Sequence, residues 1–77
     1  MDKNNCNKLA KAVTKAGIIL MESGAETYRV EETVCKICEA YHVDEVSAFV
    51  LPTGMFVSVI KDNKTYSLNV RIKKLYL

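Results

Sequence analysis

The stretch 46–72, VSAFVLPTGMFVSVIKDNKTYSLNVRI, decides the fold because it holds three strand-like runs separated by two short turns. The runs Val46–Leu51 and Met55–Ile60 are rich in β-branched and aromatic residues, which favour strands. Pro52-Thr53-Gly54 between them predicts a tight turn, since proline fixes φ at the first corner. Asp62-Asn63 predicts a second turn, because these residues suit the positive φ of a hairpin loop. The stretch therefore predicts a three-stranded antiparallel meander.

The third strand of this meander has the clearest alternation of apolar and polar residues. Its two sets are Tyr66, Leu68, Val70 and Ile72 against Ser67, Asn69 and Arg71. A period of two predicts one buried face and one wet face. The first two strands are apolar on both faces, which predicts either central burial or a second face covered by another surface.

Two helical patterns precede the strands. From about Asn7 the first pattern places five residues on one helical face: Leu9, Val13, Ala16, Leu20 and Met21. The second pattern does the same with Val30, Val34, Ile37, Cys38 and Tyr41. Ser23 and Glu26 have the S-x-x-E spacing of a capping box, so we expect the second helix to begin near Gly24. Gly17 in the first helix would let a neighbouring element approach closely.

These patterns predict an α+β fold, ααβββ, in which an N-terminal helical hairpin packs on a three-stranded antiparallel meander. A chain of 77 residues suffices for one domain, 1–77. The net charge of +2 gives no electrostatic case for nucleic acid. No apolar run approaches the roughly 20 residues of a membrane span, so we expect a soluble domain. With no export signal, the three cysteines favour reduced thiols and a cytoplasmic location.

The cysteines offer the first candidate for chemistry. Cys35-x-x-Cys38, His42 and Cys6 would make a Cys3His zinc site on paper. Zinc ligands usually come from turns, however, and both motif cysteines lie within a predicted helix. A buried thiol behaves as a small hydrophobe, so we interpret the cysteines as structural. His42 near the end of the second helix is interpreted as a wet capping residue, and no cofactor is predicted.

A polar group at the helix–helix junction is the second candidate. Glu22, Glu26 and Arg29 are spaced by four and three residues, so they neighbour one another if the turn permits. They form either ordinary surface ion pairs or a polar site at the elbow of the hairpin, with Arg71 reaching it from the last strand. No nucleophile–base pair accompanies the carboxylates, so the sequence does not predict an enzyme.

The block 20–33, LMESGAETYRVEET, resembles the N-terminal motif of the bacterial threonine/serine exporter family, which runs E-S-G-A-E-T, any residue, R-V-E-x-T. The family motif continues with P-T-G and then a strand ending near an arginine. Here these are Pro52-Thr53-Gly54 and Arg71, in the same order. The matching residues of the first block, which we call the elbow motif, are Glu22, Ser23, Gly24, Glu26, Thr27, Arg29 and Glu31.

The resemblance implies a membrane transporter that exports threonine, serine or other small carboxylates with the proton gradient. In such proteins a hydrophilic N-terminal domain precedes a bundle of transmembrane helices. The chain stops at Leu77 on apolar residues with no turn signal, so we expect it to be the head of a larger protein of the bacterial inner membrane. The missing transmembrane region would be its partner, in the same or another chain.

The resemblance also implies roles for three residues of the elbow motif. Gly24 would provide the tight break between the helices. Glu26 and Arg29 would hold the helical hairpin against the sheet or against the missing transmembrane region. A substrate or proton role for Glu26 would require burial that raises the pKa of its carboxyl.

Two other interpretations stay open. The chain is alternatively a free-standing domain that dimerises through its sheet, because the last strand has an edge that a partner could pair with. A head domain could also form homo-oligomers. The third interpretation, a metal protein or enzyme, would use Cys35, Cys38 and His42.

Overall fold

All five predicted elements occur, in the predicted order, in the computed structural model of the chain, which describes residues 3–72. Two helices precede three antiparallel strands, so the ααβββ, α+β fold is confirmed. The bounds of the elements are α1 Lys3–Glu22, α2 Thr27–Ala40, β1 Glu45–Leu51, β2 Gly54–Lys61 and β3 Lys64–Arg71.

Two short turns join the strands into a sheet of order β1-β2-β3. Lys61 lies opposite Lys64, so the second loop has only two residues. In that loop Asp62 and Asn63 have φ angles of 54° and 64°, which confirms the predicted positive-φ hairpin. The first loop, Pro52-Thr53, also has two residues and confirms the predicted turn.

Both helices cover one face of the sheet, and the core lies between the two layers. The core cluster consists of Leu9, Val13, Val30, Val34, Cys38, Val50, Met55, Val57 and Val59. The predicted alternation of β3 is confirmed, although its inner residues 66, 68 and 70 are only half-buried. The central strand β2 supplies the most deeply buried strand residues because α1 and its two neighbouring strands surround it.

The outer face of the sheet carries an exposed apolar patch. Phe49, Leu51 and Phe56 are 59%, 47% and 38% exposed, and Phe49 lies opposite Phe56 in the register. We call these three residues the outer patch. The prediction that the first two strands are buried on both faces is therefore wrong for their outer face. A covering surface for that face stays a prediction.

The break between the helices is a Schellman motif built around Gly24. The Gly24 N–H donates to Met21 O at 3.0 Å, and the Ala25 N–H donates to Leu20 O at 3.0 Å. Gly24 has a φ of 92°, a conformation that residues with a Cβ rarely adopt. Gly24 is thus confirmed as the residue that permits the tight break.

Replacing Gly24 with alanine should lower the free energy of unfolding by about 1 kcal/mol, because the methyl group strains a left-handed backbone. No heavy atom lies within 4 Å of the added Cβ, so strain alone would cause the loss. Urea denaturation measures it. Gly24→Asn is the matched control and should lose less, since asparagine tolerates this conformation. Equal losses in both variants would contradict the backbone explanation.

Several boundary predictions were wrong. The capping box does not form, because the Ser23 hydroxyl donates back to Ile19 O at 2.8 Å. Glu26 is the N-cap of α2 but makes no side-chain capping bond, so the helix begins at Thr27. The first helix begins at Lys3 instead of Asn7, and its buried face also includes Cys6 and Ala10.

The end of α2 also differs from the predicted apolar face. Tyr41 lies beyond the last helical residue and is 55% exposed, so it does not belong to the core. His42 follows with a φ of 60°, and its N–H donates to Glu39 O at 3.0 Å. This exposed histidine therefore closes the helix through its backbone, in agreement with the predicted capping role.

Candidate functional site

The elbow motif lies toward the end of the sheet that carries the Pro52-Thr53 turn. Gly17, near the end of α1, faces Met55 at the start of β2. Ile72 closes the same end, since its N–H donates to Thr53 O at 3.0 Å. The elbow, the first turn and the end of β3 are thus grouped at one end of the domain. The helix end at Tyr41 and the Asp62-Asn63 turn lie at the other.

Arg29 of the elbow motif lines a shallow recess of about 440 Å³. Its lining residues are Leu20, Ala25, Tyr28, Arg29, Val30, Glu32 and Thr33. The Arg29 guanidinium lies over the Tyr28 ring, 5.9 Å from its centroid, and both side chains are exposed. Lys36 Nζ lies 2.9 Å from Glu32 Oε1 and lowers the pKa of that carboxyl. The recess thus combines an apolar floor with an accessible cation and a carboxylate, a combination that suits small zwitterions or a polar protein surface.

The structure separates the three residues of the predicted polar group. Glu22 ends α1, whereas Glu26 precedes α2, so the turn interrupts the helical spacing that would make them neighbours. Within residues 3–72, no ion pair joins Arg29 to either glutamate, and no hydrogen bond ties Glu26 or Arg29 to the sheet. Thr27 is half-buried as the first residue of α2. Contact of Glu26 and Arg29 with a transmembrane region stays a prediction.

Glu31 is the member of the elbow motif that holds the hairpin to the sheet. Its Oε2 accepts a hydrogen bond of 2.8 Å from the Val50 N–H, and the contact is partly buried. Val50 belongs to β1, an edge strand, and its N–H points away from β2. A carboxylate acceptor therefore satisfies a backbone group that the sheet itself leaves unpaired.

Cys35 lies one helical turn later. The backbone of Ala48, the next residue of β1 with an outward-pointing amide, lowers the pKa of the Cys35 thiol against the larger effect of burial, so the two groups lie close together. Because Glu31 and Cys35 are four residues apart, both lie on the flank of α2 that faces the strand edge. The helix thus caps one amide of the β1 edge with the Glu31 side chain, and Cys35 lies beside the next amide.

Sequence reasoning identified Glu31 as a motif residue but not as an edge cap. The signal that could have found it is the i, i+4 spacing of Glu31 and Cys35, which places both side chains on one flank of the helix. That signal is decisive only once β1 is known to be an edge strand beside α2.

The remaining cysteines are buried thiols. Cys6 and Cys38 are 1% and 0% exposed. Burial raises the pKa of the Cys38 thiol to about 11, with smaller contributions from Cys35 and Glu39. Burial likewise raises the pKa of Cys35. Among residues 3–72 no group of three His, Cys, Asp or Glu side chains could hold a metal ion. The candidate Cys3His site therefore does not form among residues 3–72.

The raised pKa of Cys38 predicts a loss of stability at alkaline pH. The unfolded thiol, with an ordinary pKa of 9.0, ionises before the folded thiol with a pKa of about 11. The unfolded state then binds fewer protons, so the free energy of unfolding falls as pH rises from about 9 to 11. Urea denaturation across this range should show a shallower fall for Cys38→Ala than for the unmodified chain. Parallel pH profiles would contradict the assignment.

The second motif segment lies at the elbow end but faces a different way. Pro52 and Thr53 are exposed in the β1–β2 loop. Arg71 lies opposite Gly54 in the register, and its side chain points to the outer face because Val70 beside it packs on the core. The structure therefore does not bring Arg71 to the polar elbow, since the helices lie over the inner face.

Fold and site define a small α+β domain whose helical elbow presents an arginine beside an apolar recess, with one sheet edge capped by a helix. The sequence model of the ThrE family, whose members are assigned as threonine/serine exporters, matches residues 11–75. The chain belongs to this family of transporters, and the match includes the elbow motif and the Pro52-Thr53 turn. The resemblance stated from the sequence is thus confirmed.

Two further comparisons gave a negative result: no curated protein and no solved structure matches the chain. Neither helix within residues 3–72 combines the length and the apolar character needed to cross a membrane.

Proposed function

We propose that this domain is the hydrophilic N-terminal head of a proton-driven exporter of threonine, serine or a similar small amino acid. It transports only together with a transmembrane region, in the same or a partner chain. The observation that carries the proposal is the family match over residues 11–75. The parent protein would lie in the bacterial inner membrane with this head on the cytoplasmic side, and the three free cysteines support a reducing compartment.

The path of the chain supports contact between the elbow end and the transmembrane region. Ile72 is the last described residue, and its backbone is fixed beside Thr53. The chain therefore continues past residue 72 from the end where the elbow motif lies. A membrane segment attached there would lie near Glu26 and Arg29, whose exposed side chains make no hydrogen bond to the described strands.

The outer patch supports the same orientation. Leu51 adjoins the first turn, and the Phe49–Phe56 pair is the next hydrogen-bonded pair of the ladder from that end. Soluble monomers rarely expose large contiguous apolar patches, and such patches often mark contact surfaces. The transmembrane region could therefore contact both the elbow recess, through its exposed Arg29, and the apolar outer patch.

Membrane fractionation of the parent protein tests the proposal. The gene is expressed with its complete downstream sequence and an epitope tag, and membranes are washed with sodium carbonate to strip peripheral proteins. We expect the protein to stay in the washed membrane fraction, and reading the gene past Leu77 should show several apolar segments of roughly 20 residues. A protein released by carbonate, with no such segments in its own or a co-purifying chain, would refute the proposal.

A free-standing dimerisation domain is the second candidate, and the exposure of Phe49 and Phe56 favours it. In this case two copies would cover each other's outer patch. Light scattering at high concentration would then give twice the monomer mass, and Phe49→Ser would return the chain to a monomer. A monomer at all concentrations would eliminate this candidate.

A further inference from the structure

The two edges of the sheet are treated differently. On the β1 edge, the Glu31 carboxylate accepts a hydrogen bond from the Val50 N–H, and Cys35 lies near the Ala48 backbone. No comparable cap of a β3 backbone amide is found among the described residues. An open edge is a template for pairing with another extended chain, and proteins usually protect such edges.

The hairpin register identifies the backbone groups at the open edge. Lys61 and Lys64 flank a two-residue loop, so they form a hydrogen-bonded pair, and every second pair after them is hydrogen-bonded as well. The residues between those pairs direct their N–H and C=O groups away from β2. On β3 these residues are Thr65, Ser67 and Asn69. The same rule gives Val46, Ala48 and Val50 on β1, and α2 caps the last of these through Glu31.

A groove runs along this open edge, between α1 and β3. It has a volume of about 550 Å³ and is lined by Lys8, Lys11, Ala12, Thr14, Lys15, Ile18, Leu68 and Val70. Leu68 and Val70 remain half-buried because α1 covers only a portion of the inner face of β3. An added strand would continue this inner face and bury both side chains beside Ala12 and Ile18.

Charge limits what can occupy the groove. Lys8, Lys11 and Lys15 are spaced by three and four residues, so they form one row along the groove. A second copy paired across β3 by a two-fold axis would bring two such rows together, and like charges would repel. A segment with carboxylates would instead be attracted.

We propose that the β3 edge binds an extended segment of a partner that carries apolar and acidic side chains on one face. The segment adds a fourth strand through the outward amides of Thr65, Ser67 and Asn69. Its apolar side chains cover Leu68 and Val70, and its carboxylates meet the lysine row of α1. Main-chain pairing of this kind supplies affinity, while the side-chain positions supply selectivity.

The test uses the 77-residue chain and two synthetic peptides. The acidic probe is acetyl-Glu-Thr-Val-Thr-Val-Thr-Glu-amide, and the control replaces both glutamates with lysine. Backbone amide spectra and hydrogen exchange are followed during titration. We expect the acidic probe to bind with a Kd below about 1 mM and at least tenfold more tightly than the control, on the order expected for complementary charge. Exchange should slow at Thr65, Ser67 and Asn69.

Matched variants separate strand pairing from other binding. Asn69→Pro removes one outward amide without breaking the ladder to β2 and should abolish binding, whereas Asn69→Ala keeps the amide and should bind normally. Lys11→Glu should weaken binding, while Lys36→Glu, an equal charge change on exposed α2, should not. Dispersed amide spectra of each variant establish that it is folded.

Four results would overturn the proposal. One is equal binding of the acidic and lysine peptides, and another is binding that leaves exchange at the three amides unchanged. The third is concentration-dependent protection of these amides in the chain alone, which would identify a second copy as the occupant. Absence of binding by the acidic probe to the folded chain would also reject it.

Discussion

Replacing Gly17 with leucine should lower the free energy of unfolding by about 1–3 kcal/mol, because the new side chain would occupy space that Met55 fills. A Cβ added at Gly17 would lie 2.6 Å from both the sulfur and the terminal methyl of Met55, and 3.3 Å from Val30 Cγ1. Met55 is itself buried in the core. Gly17 is therefore a position at which α1 approaches the sheet closely.

A double substitution separates this close approach from a helix-propensity effect. Met55→Ala alone should cost about 2–5 kcal/mol as a large-to-small core change. Combined with Gly17→Leu, the total loss should be less than the sum by about 0.5–3 kcal/mol, since the leucine fills the vacated space. Ala12→Leu, at an exposed position of α1, is the control for leucine in this helix. Strict additivity of the two losses, measured by urea denaturation, would contradict a shared space.

Replacing Glu31 with alanine should lower the free energy of unfolding by about 1–3 kcal/mol, because it leaves the partly buried Val50 N–H without an acceptor. Glu31→Gln keeps an acceptor oxygen but loses the charge, so it should lose less. Hydrogen exchange of the Val50 amide should accelerate more in the alanine variant than in the glutamine variant.

The neighbouring Glu32 provides the matched control. It pairs with Lys36 at 2.9 Å on the surface, where both side chains are more than half exposed. Glu32→Ala should therefore destabilise the chain far less than Glu31→Ala. If Glu31→Ala and Glu32→Ala have equal effects, the edge cap contributes nothing beyond an ordinary surface charge.

The strands and turns could be predicted because their signals are local. β-branched runs, Pro52-Thr53 and Asp62-Asn63 each restrict φ and ψ without help from distant residues. The outer patch shows the limit of that reasoning, since Phe49 and Phe56 have strand propensity whether their face is covered or exposed. Whether that face is buried depends on whether another surface covers it.

The helix junction shows two local signals in competition. Ser23 and Glu26 have the spacing of a capping box, but Gly24 ends α1 with a positive φ and a Schellman motif. The residues that the capping box would require belong to this turn, and the Ser23 hydroxyl donates to the Ile19 carbonyl instead. The capping-box spacing therefore did not decide where α2 begins, because Gly24 can adopt the positive φ that the Schellman motif requires.

The elbow motif could be recognised from the sequence, but the tasks of its members could not. Glu31 holds α2 to β1, which is a contact across nineteen positions and depends on the tertiary arrangement. Glu26 and Arg29, to which the sequence assigned the holding role, are exposed. Their role toward a transmembrane region stays a prediction. The elbow motif therefore has one member, Glu31, that faces the sheet, and two members, Glu26 and Arg29, that face solvent.

Threonine efflux is the most direct test of the central claim that this domain is the head of an exporter. Bacterial cells loaded with a threonine-containing dipeptide would express the complete parent protein, the parent without residues 1–72, or neither. We predict efflux above the background with the parent, and loss of that efflux both without the head and after collapse of the proton gradient, at equal amounts of membrane protein. Efflux at the background level with the complete parent in the membrane would contradict the account.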